Sequence, residues 1–331
     1  MTEGPDGPLK AGGRAAVRAA ASATAALLAG LIRRPWSAEA ARAVLSRRGF
    51  HLLRHHYYLP IPEAADCDNR FFASSSELVG VELDEDSALA LLESAIAPTL
   101  AEFRSTFPIH PDPQRPGFHL INGNYMAVDA HVYYGLIRHF APRRIVEIGS
   151  GNSTLVAAAA VAANRRDGRR QADLIAIEPF PGPALRTGLD GAGRLVESKV
   201  QEVPLGLFEE LEAGDILFID SSHCLRSGGD VQYEYLEILP RLGPGVLVHI
   251  HDISLPRPYP RTYFERQLYW NEQYLLQAFL AFNSRFEVLW PGALMMERHP
   301  DRITTLFPEV LTMRQHYPDA TPTAFWMRVR R

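Results

Sequence analysis

The stretch that most constrains the fold is Arg144–Thr154, which reads RIVEIGSGNST. Its apolar, β-branched residues predict a short buried strand over 144–148. Gly149-Ser150-Gly151 then predicts a tight turn, and the alanine-rich run that follows predicts a helix with Ser153 as its N-cap. A strand that enters a helix through a glycine turn directs backbone N–H groups at one point. A ligand can approach the backbone closely there.

The spacing of these glycines separates two kinds of nucleoside-binding turn. A dinucleotide fingerprint reads G-x-G-x-x-G and places a pyrophosphate at the helix N-terminus. Here Thr154 stands where the third glycine belongs, and the carboxylate of Glu147 is expected to lie beside the turn. A nicotinamide-dependent oxidoreductase is therefore the less favoured alternative.

Composition places the chain among globular proteins. It has 331 residues, 47% of them hydrophobic, and a net charge of −4. There is no basic surplus that would argue for a nucleic-acid partner. Cys67 and Cys224 are far apart and match no zinc spacing, so a reducing cytoplasm is the expected location.

The first 118 residues predict two regions that precede the main domain. Residues 1–50 are expected to form a flexible or helical arm, disordered over 1–13 and helical on both sides of Pro35. The run Ala19–Ile32 is too short to cross a bilayer, which takes about 20 apolar residues, and a signal peptide is a less favoured reading. Residues 51–118 are expected to form a cap or lid, with a helix over Leu83–Phe107.

Within that cap, HLLRHHYYLPIP concentrates histidine and tyrosine before a Pro-x-Pro. One interpretation is a lid with its aromatic side chains facing a pocket, and the other is an extended segment laid on the core. The residues concerned are His55, His56, Tyr57 and Tyr58.

Residues 119–331 alternate between strand and helix patterns, which predicts a parallel sheet with ligands at the carboxyl ends of its strands. Met126 to Phe140 predicts an amphipathic helix, and about Tyr263–Phe282 predicts a long one. The strands expected after the first are Asp173–Ile177, Arg194–Ser198, Asp215–Asp220, Gly245–His251, Phe286–Trp290 and Ala324–Val329.

Ionisable side chains follow three of these strands. Glu178 closes the second, where a carboxylate can accept hydrogen bonds from both hydroxyls of a ribose. Asp220 and His223 follow the fourth strand, and His251 and Asp252 follow the fifth. Because these ends should be neighbours, we expect the four side chains to converge on one site. We interpret His249 as a buried structural residue.

The pattern E-x-G-x-G resembles the first motif of the class I S-adenosylmethionine (SAM) methyltransferases, whose turn holds the methionine part of the cofactor. The longer pattern F-I-D-S-S-H…G-G-D-V…G-V-L-V-H-I-H-D-I…W-N-E-Q-Y is similar to a bacterial group of small-molecule O-methyltransferases related to the catechol-type enzymes. The resemblance covers roughly residues 120–331. It implies an α/β fold with a Rossmann-like seven-stranded sheet and helices on both faces, preceded by the mainly helical extension.

The resemblance also implies which residues bind the cofactor. In the catechol-type enzymes a helix precedes the first strand and its start touches the cofactor, and N-G-N-Y-M-A-V-D-A resembles that arrangement. The expected cofactor residues are Glu147, Gly149, Ser150, Gly151, Asn152, Ser153, Glu178, Asn124, Tyr125, Asp220 and Ser221.

Two mechanisms are open for the four converging residues, Asp220, His223, His251 and Asp252. His223 can act as general base towards a substrate hydroxyl. Alternatively, Asp220 and Asp252 can hold a divalent cation. The catechol-type enzymes carry Asp-Asn after the fifth strand, whereas Ile253 follows Asp252 here. His223 or His251 could replace the missing oxygen ligand, and imidazole would favour a transition metal over magnesium.

The expected activity is methyl transfer to an oxygen of a small molecule, a sugar or a secondary metabolite. An N-methyltransferase on the same fold is the alternative, but nitrogen-directed sites often show Asn/Asp-Pro-Pro-aromatic where this chain has Asp220-Ser221-Ser222-His223. A scaffold protein without turnover is a third reading. The N-terminal arm and the helix near Trp270 could each support a homodimer.

Overall fold

The computed structural model describes residues 8–33, 35–53, 58–115, 117–182, 185 and 193–330. Contacts divide the chain into two compact units, Met1–Ile61 and Pro62–Arg331. In the first, helix α1 spans Pro8–Leu31 and α2 spans Pro35–Ser46. The described helices include none with the length and apolar content needed to cross a membrane.

Two expectations about the first unit have different outcomes. Disorder over 1–13 is wrong from residue 8 onwards, because α1 begins at Pro8, a residue whose fixed φ suits the first helical position. Of the four residues concerned, His55, His56 and Tyr57 lie outside the described residues, and Tyr58 is exposed. The lid remains a prediction.

The second unit contains a seven-stranded sheet with the order β3-β2-β1-β4-β5-β7-β6, in which β7 is antiparallel to both of its neighbours. This is the expected Rossmann-like sheet. The strands are β1 Arg144–Ile148, β2 Asp173–Ile177, β3 Gly193–Val196, β4 Ile216–Ile219, β5 Leu247–Ile250, β6 Phe286–Pro291 and β7 Phe325–Val329.

Helices cover both faces of the sheet because successive strand residues point to opposite sides. Ile145 and Phe218 belong to one apolar cluster, and Val146 and Leu217 to the other. The central strands are therefore buried on both faces, as is usual for parallel sheets.

The helices of the second unit differ most from expectation in its last third. Predicted helix 83–107 is present but interrupted by one π turn, Leu92–Ile96, and one 3-10 turn, Ala97–Thr99. Three helices over 292–316 were not predicted. The α-helices are α3 Asn69–Ala73, α4 Glu85–Leu91, α5 Leu100–Thr106, α6 Asp129–Phe140, α7 Asn152–Arg166, α8 Gly206–Glu209, α9 Asp230–Tyr233, α10 Arg261–Glu265, α11 Glu272–Leu280, α12 Gly292–Arg298, α13 Pro300–Leu306 and α14 Glu309–His316.

The single long helix expected over Tyr263–Phe282 is wrong. The chain forms α10 and α11, with 266–271 between them. The backbone N–H groups of Asn271 and Glu272 both donate to the carbonyl oxygen of His223, at 3.0 and 3.2 Å. These contacts with a distant loop fix a new helix start, which the amphipathic pattern alone does not reveal.

Candidate active site

A cavity of about 620 Å³ opens at the carboxyl ends of β1, β4 and β5. Strand order reverses between β1 and β4, and α/β sheets bind ligands at that crevice. The volume lies within the range of about 300–1,000 Å³ that is usual for small-molecule sites. Its lining residues include Asn124, Tyr125, Ser150, Gly151, Asn152, Ser153, Asp220, Ser221, Ser222, His223, His251, Asp252, Tyr263, Arg266 and Trp270.

The turn after β1 forms one wall of this cavity. Gly149 has a φ of +80°, and a Cβ there would lie 1.8 Å from the carbonyl oxygen of Asp220. Only glycine allows the β1 turn to approach the end of β4 so closely. The space beside Gly151 is open, and the buried hydroxyl of Ser150 has no partner among the described residues. An open backbone and an unpaired hydroxyl fit a polar ligand at this wall.

The helix after the turn begins one residue after Gly151, which is its N-cap. The expectation that Ser153 caps it is wrong. The Gly151 N–H instead donates to the hydroxyl of Thr154 at 3.0 Å, so Asn152 is the first helical residue. Ser153 lies in the first turn and lines the cavity.

Glu178 lies at the end of β2 and braces the turn. Its carboxylate accepts the Ser150 N–H at 3.3 Å and the Phe180 N–H at 2.8 Å. Its expected ribose contact remains a prediction.

Glu147 lies beneath the turn, fully buried, and is not among the residues that line the cavity. It accepts a 2.8 Å hydrogen bond from the hydroxyl of Tyr133, while its other oxygen has no partner in the described part of the chain. Burial raises the pKa of Glu147 to about 7. The expected contact of Glu147 with the cofactor remains a prediction.

Asn124 and Tyr125 also line the cavity, and their expected contact with the cofactor remains a prediction. Tyr125 is 2% exposed, and its hydroxyl donates to the Asp129 carbonyl at 3.2 Å. Its ring lies 5.1 Å from that of His251, centroid to centroid. Tyr125 therefore joins the start of α6 to the end of β5.

The four ionisable residues expected to converge do lie together. His223 Nε2 is 3.3 Å from Asp220 Oδ1 and 3.5 Å from Asp252 Oδ2, and His251 Nε2 is 3.9 Å from Asp252 Oδ1. His223 is 4% exposed, whereas the two aspartates remain open to the cavity. One imidazole thus stands between two carboxylates at the cavity wall.

A fifth residue, Glu272, completes this cluster and was not predicted. Its Oε2 lies 2.8 Å from His223 Nδ1, and the residue is fully buried at the first position of α11. A carboxylate on Nδ1 fixes the ring so that Nε2 faces Asp220, Asp252 and the cavity. The motif W-N-E-Q-Y contains this glutamate, but its spacing of 49 residues from His223 gave no signal of the contact.

The backbone at the cluster is held in an unusual conformation. His223 and Asp252 have φ angles of +57° and +54°, in the left-handed region that non-glycine residues seldom adopt. Such residues concentrate at functional sites, where the surrounding structure maintains them. Here the bonds from Asn271 and Glu272 to the His223 carbonyl supply part of that support.

The charges of the cluster depend on one another. Burial opposes protonation of His223, but its hydrogen bonds with Asp220 and Glu272 outweigh this and raise its pKa well above the ordinary value. Burial likewise acts against the carboxylate of Asp220, yet the charges of His251 and His223 leave its pKa lowered. The pKa of His251 is raised, since Asp252, Asp220 and Asp129 outweigh burial. The cluster therefore favours ionised acids around a cation.

His249 differs from the other two histidines. It is fully buried, stacks on Phe218 at 4.0 Å between centroids, and does not line the cavity. Burial lowers its pKa well below the ordinary value. This placement agrees with a structural interpretation.

The cluster has the donor set of a cation site. One ligand atom each from Asp220, His223 and Asp252 lie within 4.8 Å of one another. Two carboxylate oxygens and one imidazole nitrogen suit manganese, iron or zinc better than magnesium. In metal sites, the remote nitrogen of a metal-binding histidine usually contacts a carboxylate. Glu272 has that position relative to His223.

Comparison with known proteins agrees with the fold and the turn. A family model described as a methyltransferase domain matches residues 146–253, from β1 to the residues after β5. An uncharacterized protein of Archaeoglobus fulgidus is 30% identical over 167 residues, which span 47% of this chain and 72% of that protein. The matched residues therefore form a methyltransferase domain, on a seven-stranded sheet of the class I type that the resemblance implied.

Among solved structures, a methyltransferase of Podospora anserina bound to S-adenosylhomocysteine (SAH) is 16% identical to this chain, with a TM-score of 0.35. The alignment covers 72% of this chain and 94% of that protein. An O-methyltransferase from neocarzinostatin biosynthesis is 15% identical, with a TM-score of 0.29. That alignment covers 75% of this chain and 72% of the O-methyltransferase. A phosphoethanolamine N-methyltransferase of Haemonchus contortus is 12% identical, with a TM-score of 0.33. Its alignment covers 73% of this chain and 60% of the N-methyltransferase.

Proposed function

We propose that the protein transfers the methyl group of SAM to a hydroxyl oxygen of a small molecule. The observation that carries this proposal is the placement of His223 Nε2 between Asp220 and Asp252 at the cavity wall, with Glu272 on Nδ1. An oxygen acceptor must lose a proton as it attacks, and this arrangement offers a place for that proton.

The cofactor part of the proposal rests on the turn after β1. The open side of Gly151, the unpaired Ser150 hydroxyl and the cavity volume fit the methionine part of SAM. SAM supplies a methyl group already activated on sulfonium sulfur and departs as SAH. The chain must mainly align the acceptor with that methyl group.

Within this proposal, the carbon–sulfur bond breaks as the carbon–oxygen bond forms, and the hydroxyl proton passes to Nε2 of a neutral His223. Because the hydrogen bonds with Asp220 and Glu272 outweigh burial and raise the pKa of His223, the neutral form and the rate by this route increase with pH. Glu272 holds the ring in orientation, because its carboxylate accepts a hydrogen bond from the Nδ1–H group. Asp220 and Asp252 stabilise the imidazolium that results.

A bound divalent cation is the second route. Asp220, His223 and Asp252 would hold it, and it would lower the pKa of the acceptor hydroxyl. His223 then serves as ligand rather than base, and Glu272 keeps the same orienting task. A cation between two aspartates would replace the imidazolium proton, so the two routes exclude each other.

Titration calorimetry with SAH tests the cofactor, and transfer of labelled methyl from SAM tests the acceptor. The probes are catechol and methyl glucoside as hydroxyl acceptors and phenethylamine as the nitrogen acceptor. We expect SAH to bind, hydroxyl probes to be methylated, and His223→Gln to lose turnover. Asp301→Asn, an exposed change elsewhere, is the control. Failure of SAH to bind, or methylation of the amine alone, would contradict the proposal.

A further inference from the structure

A second cavity, of about 320 Å³, adjoins the first. The two share Gly123, Asn124, Asp252, Tyr263 and Arg266 in their walls. Asp252, which belongs to the reaction cluster, therefore faces both spaces. A molecule in the second cavity can present one of its groups to His223 and keep the rest of its body outside the cofactor space.

Asp129 is the buried carboxylate of this second cavity. It is 4% exposed and begins α6. Its Oδ2 accepts the backbone N–H of Thr323 at 2.9 Å, and the Thr323 hydroxyl lies 3.3 Å away. Its Oδ1 is buried and has no hydrogen-bond partner among the residues that the structure describes. A buried carboxylate oxygen without a hydrogen bond is costly, and a donor group of a bound molecule would reduce that cost.

Thr323 connects this carboxylate with the reaction cluster. Its hydroxyl also lies 3.3 Å from Asp252 Oδ1. One threonine from the segment before β7 thus contacts two carboxylates, Asp252 in the wall of both cavities and Asp129 in the wall of the second. The distance between the unpaired oxygen and the reacting position is therefore fixed by the fold.

Other groups around the second cavity are rich in hydrogen-bonding atoms. Thr262 and Thr321 contribute hydroxyls, and Tyr263 and Tyr317 contribute rings with polar ends. The volume lies at the lower end of the range for small-molecule sites, which suits a single ring. A site built to bond a hydroxyl discriminates strongly against analogues that lack it, since its own polar atoms are then left unpaired.

We propose that the second cavity binds the methyl acceptor, a polyhydroxylated molecule of the size of one hexopyranoside, through a hydroxyl that donates to Asp129 Oδ1. That hydroxyl is not the one methylated. The proposal rests on the proposed O-methyl transfer and adds to it the class of acceptor and the residue that selects it. Asp129 is a specificity-determining residue and takes no proton from the reacting oxygen.

The test uses the full chain loaded with SAH and a set of methyl hexopyranosides, the parent sugars and their monodeoxy analogues. Binding is measured by calorimetry and by saturation-transfer NMR. Asp129→Asn keeps an oxygen to accept from Thr323 and replaces the unpaired oxygen by a neutral amide. We expect this substitution to weaken the binding of the parent sugar about tenfold. Asp301→Asn is the matched control for the same chemical change.

The analogues identify the bond itself. One deoxy sugar should bind the wild-type protein about tenfold more weakly than its parent sugar does. Its affinity should not fall further in the Asp129→Asn variant, because the missing hydroxyl and the substitution remove the same interaction. Equal losses for every analogue would overturn the proposal, as would SAH-loaded protein that binds no hexopyranoside. Failure of SAH binding itself would instead remove the proposed function. If Asp129→Asn does not fold, Asp129→Ser is measured on the same set.

Discussion

His223 Nδ1 lies 2.8 Å from Glu272 Oε2, so the imidazole at the cavity wall is oriented by a carboxylate that no solvent reaches. Both proposed routes need this contact. A base needs its lone pair on Nε2, and a metal ligand needs the same atom free of a proton. Glu272 is thus a positioning residue whose effect must pass through His223.

Glu272→Gln is expected to lower kcat about 10- to 100-fold, the usual effect of removing such an outer-shell partner. The amide can donate to Nδ1 and so favour the wrong tautomer. Affinity for SAH should stay within twofold of wild type, since Glu272 does not line the cavity. The measurements are steady-state methyl transfer and calorimetry, with exposed Glu77→Gln as control. Equal kcat in both variants would contradict this role.

Gly149→Ala is expected to destabilise the fold by about 3 kcal/mol or more, because the new Cβ meets the Asp220 carbonyl in addition to an unfavourable φ. Gly168→Ala is a matched control. Gly168 has a φ of +68° but nothing within 4 Å of the new Cβ, so about 1 kcal/mol is expected there. Urea unfolding measures both. Equal losses would show that the close approach of β1 to β4 has no energetic weight.

Stability should depend on pH through Glu147. Burial raises its pKa to about 7 from 4.5, so the folded protein holds a proton that the unfolded chain releases. Stability is therefore lost as pH rises from 4.5 to 7, by about 3 kcal/mol in total for this group. Glu147→Gln should remove that part of the slope. Unfolding of both proteins at pH 5 and pH 8 tests this, and parallel behaviour would rule it out.

A divalent cation should bind at Asp220, His223 and Asp252, with manganese tighter than magnesium because one donor is imidazole. Asp252→Asn should lower the affinity for manganese at least tenfold, whereas Asp301→Asn should leave it unchanged. Calorimetry on protein stripped with EDTA gives the affinities. If stripped protein binds neither metal yet keeps full methyl transfer, the metal route is wrong and the base route stands.

The central sheet could be predicted from sequence because each buried strand is apolar on both faces and ends at an acid or a glycine. Asp173–Ile177 was predicted to the residue. The convergence of Asp220 with Asp252 also followed, since the ends of neighbouring parallel strands must meet. These inferences use only local pattern and sheet geometry.

Other features depend on contacts between distant segments and could not be predicted. The break between α10 and α11 comes from bonds to His223, and the same bonds place Glu272 on the ring. Asp129 lies within the predicted amphipathic helix, and its hydrogen bond with Thr323 joins it to a residue 194 positions later in the chain. A single sequence contains no signal that pairs such residues.

The start of α11 is tied to His223 twice, through two backbone donors on its carbonyl and one carboxylate on its ring. These contacts hold the imidazole and the first turn of the helix together. Tyr263, Arg266 and Leu268 in the segment before this anchor line the cavity without being part of these contacts. Substitutions at these three positions can therefore change the shape of the cavity wall while the imidazole keeps its place.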